Sequence, residues 1–130
     1  MKPFPEQIEE VKSQDRQLFE IISKSGWSSL KRGEIFDSNA VAESAVIGVA
    51  IWDKPTIEAL AKLAAKRRNL AGSTTVFNMD DCLTEDDLKR FLPGISGVLQ
   101  TPVVVEYRGG QSVRKLEGKA AREWIEGKDL

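Results

Sequence analysis

Apolar residues recur at helical spacing near the start of the chain, and around position 45 that rhythm gives way to an unbroken apolar run. Ile8, Val11, Leu18, Phe19 and Ile22 fall on one stripe and predict a helix from Pro5 to Ser25. Pro5 suits a first helical turn, Glu6, Glu9 and Glu10 complement the positive dipole end, and Gly26 follows as a C-cap. Trp27 to Arg32 reads as a short edge strand ending at Gly33, and Glu34 to Glu43 as a short helix or an irregular connection. Ala45 to Trp52 has no polar face, as expected of a central strand covered on both sides. Asp53-Lys54-Pro55-Thr56 ends it, and Ile57, Leu60, Leu63 and Ala64 give a helix from Ile57 to Arg68 with one inner face.

Ser73 to Met79 is predicted as the next strand. Thr84 caps a helix with Asp87 three residues on, and that helix turns Leu88, Phe91 and Leu92 inward before Pro93-Gly94. Ile95 to Gln100 leads to Thr101-Pro102, where a strand begins. Gly109-Gly110 then separates two β-prone runs, because a tight hairpin turn needs residues that tolerate positive φ. Lys119 to Glu126 closes the chain as a helix with Ala120, Ala121, Trp124 and Ile125 available for packing. A strand–helix–strand unit, a helix and a terminal antiparallel pair imply an α/β fold: a central mixed sheet flanked by helices.

Composition narrows the function. At 130 residues, with 41% hydrophobic and 30% charged side chains, the chain is expected to be one globular domain. Lys and Arg number 19 against 20 Asp and Glu, so no global charge draws it to nucleic acid or to an anionic membrane. The N-terminal residues lack the apolar run of a signal peptide, and a cytoplasmic protein is expected. The absence of histidine excludes Ser-His catalysis and His-Cys zinc sites, and neither a metal nor a cofactor is expected. The one cysteine, Cys82, excludes an intrachain disulfide and any Cys-x-x-Cys centre. Asp80 and Asp81 stand beside it, and neighbouring carboxylates disfavour a thiolate. Asp53 fits best as a cap on the helix that follows.

Thr101-Pro102, the apolar Val103 to Val105, Tyr107, Arg108, Gly110 and Gly118 fit without a gap a pattern of the thioredoxin family. There, a threonine or similar residue precedes a cis-proline, an apolar strand, an aromatic, a basic residue and a glycine turn. Asn78-Met79-Asp80 resembles the Asn-Ile-Asp at the end of the family's preceding strand. Gly94-Ile95-Ser96-Gly97-Val98 resembles its Gly-Ile-Arg-Gly-Ile, with Leu99-Gln100 inserted. The active-site Trp-Cys-Gly-Pro-Cys of the family is met here by Trp52-Asp53-Lys54-Pro55-Thr56, with Asp53 and Thr56 in place of the cysteines. The acidic residue that the family buries in its central strand has no counterpart in Val46 to Ile51.

The resemblance runs from Phe36 to Leu130 and implies a thioredoxin-like core over residues 34–130, with residues 1–26 as an extra or extended N-terminal helix. It also implies that the active-site turn and the cis-proline loop face each other and hold an extended polypeptide, a surface that does not need the cysteines. The expected function is a redox-inactive module that binds a protein or peptide, chaperone-like, through Trp52, Asp53, Lys54, Pro55, Thr56, Thr101 and Pro102. Cysteine-lacking thioredoxin-like chaperones of hydrogenase maturation exemplify that class, and they too place an N-terminal helix and a Gly-Trp before the core, as Gly26-Trp27 does here. Two alternatives stand beside it: a monothiol or glutathione-linked redox protein using Cys82, and an oligomerisation module using the stripe of the first helix.

Overall fold

The computed structural model describes residues 16–23, 27–30, 34–39, 42–50, 53–65, 74–79, 84–95 and 100–126. Helix α1 occupies residues 16–23, and β1 (Ser28–Leu30), β2 (Glu43–Val49), α2 (Lys54–Ala65) and β3 (Thr74–Asn78) follow. Then come α3 (Glu85–Phe91), β4 (Val103–Arg108), β5 (Gln111–Glu117) and α4 (Lys119–Glu126). The sheet has five strands in the order β1-β3-β2-β4-β5. The first three run parallel, and β4 and β5 are antiparallel to their neighbours. This is the α/β architecture, a mixed sheet between helices, that the order of elements predicts.

Strand β2 lies at the centre and is buried from Ser44 to Val49. Its alternation divides the core. Ala45, Ile47 and Val49 face α1, α2 and α4, where Leu18, Ile21, Ile57, Leu60, Leu63, Trp124 and Ile125 pack. Val46 faces the other way, with Phe77, Val103, Val105 and Tyr107, toward Leu88, Phe91 and Leu92 of α3 and its end. Gly48 shares that second face, and the Phe77 ring, itself 4.8 Å from that of Phe91 between centroids, covers it. A larger residue at Gly48 would hold the two aromatics off the sheet.

Local chemistry accounts for the ends of the elements. Thr84 and Asp87 form a reciprocal capping box: the Asp87 N–H donates to Thr84 Oγ1 and the Thr84 N–H to Asp87 Oδ2, each at 3.2 Å. Gly109 and Gly110 both have positive φ, 60° and 84°, which suits a two-residue hairpin loop. A bulge in β5 opposite the Glu106–Tyr107 step of β4 leaves Val113 without a cross-strand partner. Bulges of this kind twist an edge strand away from further pairing. Among the described residues, no helix is long and apolar enough to cross a membrane.

Several expectations need correction. Strand β2 ends at Val49 instead of running to Trp52, because the Ala50 carbonyl accepts from the Asp53 N–H and turns the chain. Helix α2 consequently starts at Lys54, three residues before Ile57. On α1 the buried residues are Leu18 and Ile21, while Phe19 is 70% exposed. Successive helical residues are rotated by about 100°, so Phe19 lies off the stripe that Leu18, Ile21 and the half-buried Ile22 define. Ala120 is exposed at the start of α4, while residues 34–37 are irregular, one of the two readings of that stretch. Ile8, Val11 and Arg68 lie outside the described residues.

Candidate functional site

The site forms where β2 hands over to α2, beside the start of β4. Asp53 stands immediately before α2, and its carbonyl accepts from the N–H groups of Thr56 and Ile57, both at 3.1 Å. It is therefore the N-cap of the helix, as its position predicts, but its side chain is turned to hydroxyl groups. Oδ2 accepts from Thr56 Oγ1 at 2.7 Å. Thr56 is wholly buried, so this bond satisfies a hydroxyl that would otherwise be costly to enclose. Pro55 sits in the first turn of α2, where its missing N–H is not needed, and Lys54 and Pro55 are exposed.

The cis-proline loop approaches the same carboxylate. The Thr101–Pro102 peptide bond is cis. Thr101 Oγ1 accepts from the Ala50 N–H at 3.1 Å and donates to Asp53 Oδ2 over a longer 3.5 Å. One carboxylate oxygen thus receives a hydroxyl from the helix and a hydroxyl from the loop. The Ala50 N–H, freed because β2 has stopped pairing, completes the arrangement.

The loop is also secured from its other side. The Gly118 N–H donates to the Pro102 carbonyl at 2.9 Å, and the Gln100 N–H to Glu117 Oε1 at 3.3 Å. Gly118 has φ of +61°, and the Gln100 side-chain oxygen occupies the space that a β-carbon would need. Thr101 is half-buried and Pro102 is buried.

Of the residues expected in the groove, the structure gathers Asp53, Thr56 and Thr101 into one hydrogen-bonded group. Lys54 and Pro55 lie on the adjoining first turn of α2, and Pro102 follows Thr101 directly. Trp52, Ile51 and Cys82 lie outside the described residues, as do Asp80 and Asp81. Ala50, Gln100 and Glu117 are the participants that sequence reasoning misses. Ala50 contributes only a backbone N–H, for which no side-chain signal exists. The other two depend on how the end of β5 meets the loop.

A second polar group on the sheet has a structural role. The Trp124 indole N–H donates to Glu106 Oε1 at 2.9 Å, and Arg114 lies 3.6 Å from the same oxygen. On the opposite face the Tyr107 hydroxyl donates to the Pro93 carbonyl at 2.9 Å, with the Phe36 ring 5.2 Å from its own. Burial pushes the Tyr107 phenol well above its ordinary range, since the charged form would lose its hydration.

Comparison with known proteins bears on the fold alone. No protein-family model matches the chain. No curated protein matches it in sequence. Among solved structures, mitochondrial thioredoxin 3 from Saccharomyces cerevisiae, in its oxidised form, superposes with a TM-score of 0.52 at 19% identity. The match covers 83% of this chain and 99% of that one. The chain has the thioredoxin-like fold. An almost complete thioredoxin is matched at an identity that supports a common architecture and nothing finer.

Proposed function

We propose that the protein is a redox-inactive, thioredoxin-like module that binds an extended protein segment along the turn at Asp53–Thr56 and the loop at Thr101–Pro102. The observation that carries this reading is the shared carboxylate. Asp53 and Thr56, set by the sequence resemblance against the family's two cysteines, are joined to each other and to the cis-proline loop by oxygen hydrogen bonds. Disulfide exchange needs a thiolate to attack and a second thiol to resolve the mixed disulfide. A carboxylate and a hydroxyl do neither. What the arrangement keeps is a fixed spacing between helix and loop. Thr101 is anchored through its side chain, and its peptide group is the part that a passing chain would meet, as in strand addition. The sequence resemblance sets Trp52, which lies outside the described residues, beside this turn.

The reading is tested with displayed random peptides selected on the immobilised protein and then titrated in solution. Thr101→Asp is expected to weaken the selected peptides at least about tenfold. Phe19→Asp, on the exposed side of α1, leaves their affinity unchanged. If no peptide binds saturably, or both variants bind equally well, the groove assignment fails. Reduction of insulin disulfides by the purified protein would overturn the redox-inactive part separately.

A further inference from the structure

We propose that Asp53 is a positioning residue: a latch that holds the cis-proline loop in register with helix α2 and so keeps the groove formed before anything enters it. As a role in the groove this rests on the peptide-binding reading above, but the latch itself can be tested without a ligand.

The argument starts from unequal bonds. Asp53 Oδ2 is held tightly on the helix side, at 2.7 Å from Thr56 Oγ1, and loosely on the loop side, at 3.5 Å from Thr101 Oγ1. The Thr101 hydroxyl has a single proton. Giving it to Asp53 turns the oxygen's lone pairs toward the Ala50 N–H, which donates to it at 3.1 Å. Each bond therefore supports the next along the line Thr56–Asp53–Thr101–Ala50, and a charged acceptor makes such bonds stronger than neutral ones. The line crosses from α2 to the loop and back to the end of β2. It joins residues 48 and 51 positions apart in sequence through side chains, at a place where the β2 ladder has already ended. Thr56 is wholly buried and cannot swing away, which fixes Asp53 and makes the loop the movable partner.

Amide hydrogen exchange reads the latch at Ala50, with Ile47 in the centre of β2 as the reference. Thr101→Val removes the acceptor and is expected to speed exchange at Ala50 about tenfold or more relative to Ile47. Asp53→Ala is expected to act in the same direction, although it removes neither the Ala50 N–H nor its acceptor. The two changes together should give no more than the larger one alone. Thr101→Ser, which keeps the hydroxyl, should restore slow exchange. Equal acceleration at Ala50 and Ile47 would mean general destabilisation and would overturn the latch. So would an unchanged Ala50 in Asp53→Ala, or effects that simply multiply. Peptide titration of Asp53→Ala then separates the two ideas. Wild-type affinity with fast Ala50 exchange shows a latch that does not serve the groove and overturns the positioning role. Weakened affinity supports it, and absence of peptide binding by the wild type rejects the groove while leaving the exchange result intact.

Discussion

The Phe77 ring lies so close over Gly48 that a β-carbon placed on the glycine would sit 2.5 Å from Phe77 Cζ. Val103 Cγ1 would be 2.8 Å away on the other side. Gly48 pairs with both residues in the sheet, so neither can retreat without moving its strand. Gly48→Ala is therefore expected to destabilise the fold by about 1–3 kcal/mol, as overpacking of a close-packed core does. Denaturant midpoints of wild type and variant check this. A midpoint at or above wild type would show that Phe77 has room the structure does not give it.

The Trp124–Glu106 bond predicts a difference between two replacements. Glu106→Gln keeps an acceptor for the indole and loses only the partly exposed pairing with Arg114, which is expected to cost less than about 1 kcal/mol. Glu106→Leu leaves the largely buried indole N–H without that partner, at about 1–3 kcal/mol. The ordering of the two unfolding free energies, with tryptophan fluorescence as the probe, decides the matter.

Thr84 closes the capping box of a short helix that has little length of its own to stabilise it. Thr84→Ala is expected to cost about 1 kcal/mol, and Thr84→Ser only a fraction of that. Thermal unfolding followed by circular dichroism distinguishes the two. Equal loss in both variants would point to the methyl group and away from the cap.

Tyr107 gives a dependence on alkaline pH. In the unfolded chain the phenol titrates near its ordinary value of 10.0, whereas burial holds it protonated in the fold to higher pH. Below about pH 9 both states carry the proton and the group contributes no slope. Above about pH 10 the unfolded state releases its proton first, so stability falls as pH rises, by up to about 1.4 kcal/mol per pH unit. The falling slope should be shallower in Tyr107→Phe, which has no phenol to ionise. Parallel curves for the two proteins between about pH 9 and pH 11 would contradict the assignment.

The parts of the fold that the sequence announces are those with strong local chemistry. Lys119 to Glu126 is helical over the expected range, Gly109-Gly110 turns the hairpin, and Thr84 caps α3 with Asp87. Local patterns mislead where a neighbour decides. The apolar run from Ala45 onward says nothing of where its ladder stops, which depends on the turn closed by the Ala50 carbonyl and the Asp53 N–H. Phe19 looks as apolar as Ile21, and only the direction of α1 against the sheet separates them. In the site, Asp53 is legible as a cap and Thr101-Pro102 as a strand entrance. Their meeting is not legible from spacing, because it is made by the β2–β4 pairing and not by anything local.

That pairing has a consequence for how the protein is made. Asp53 leaves the ribosome 48 residues ahead of Thr101, and β4 must be synthesised before it can lie against β2. No nascent chain that ends short of the hairpin can bring Thr101 to Asp53, however well its first helices have folded. A product truncated before β4 lacks both the strand that pairs with β2 and the loop that meets Asp53.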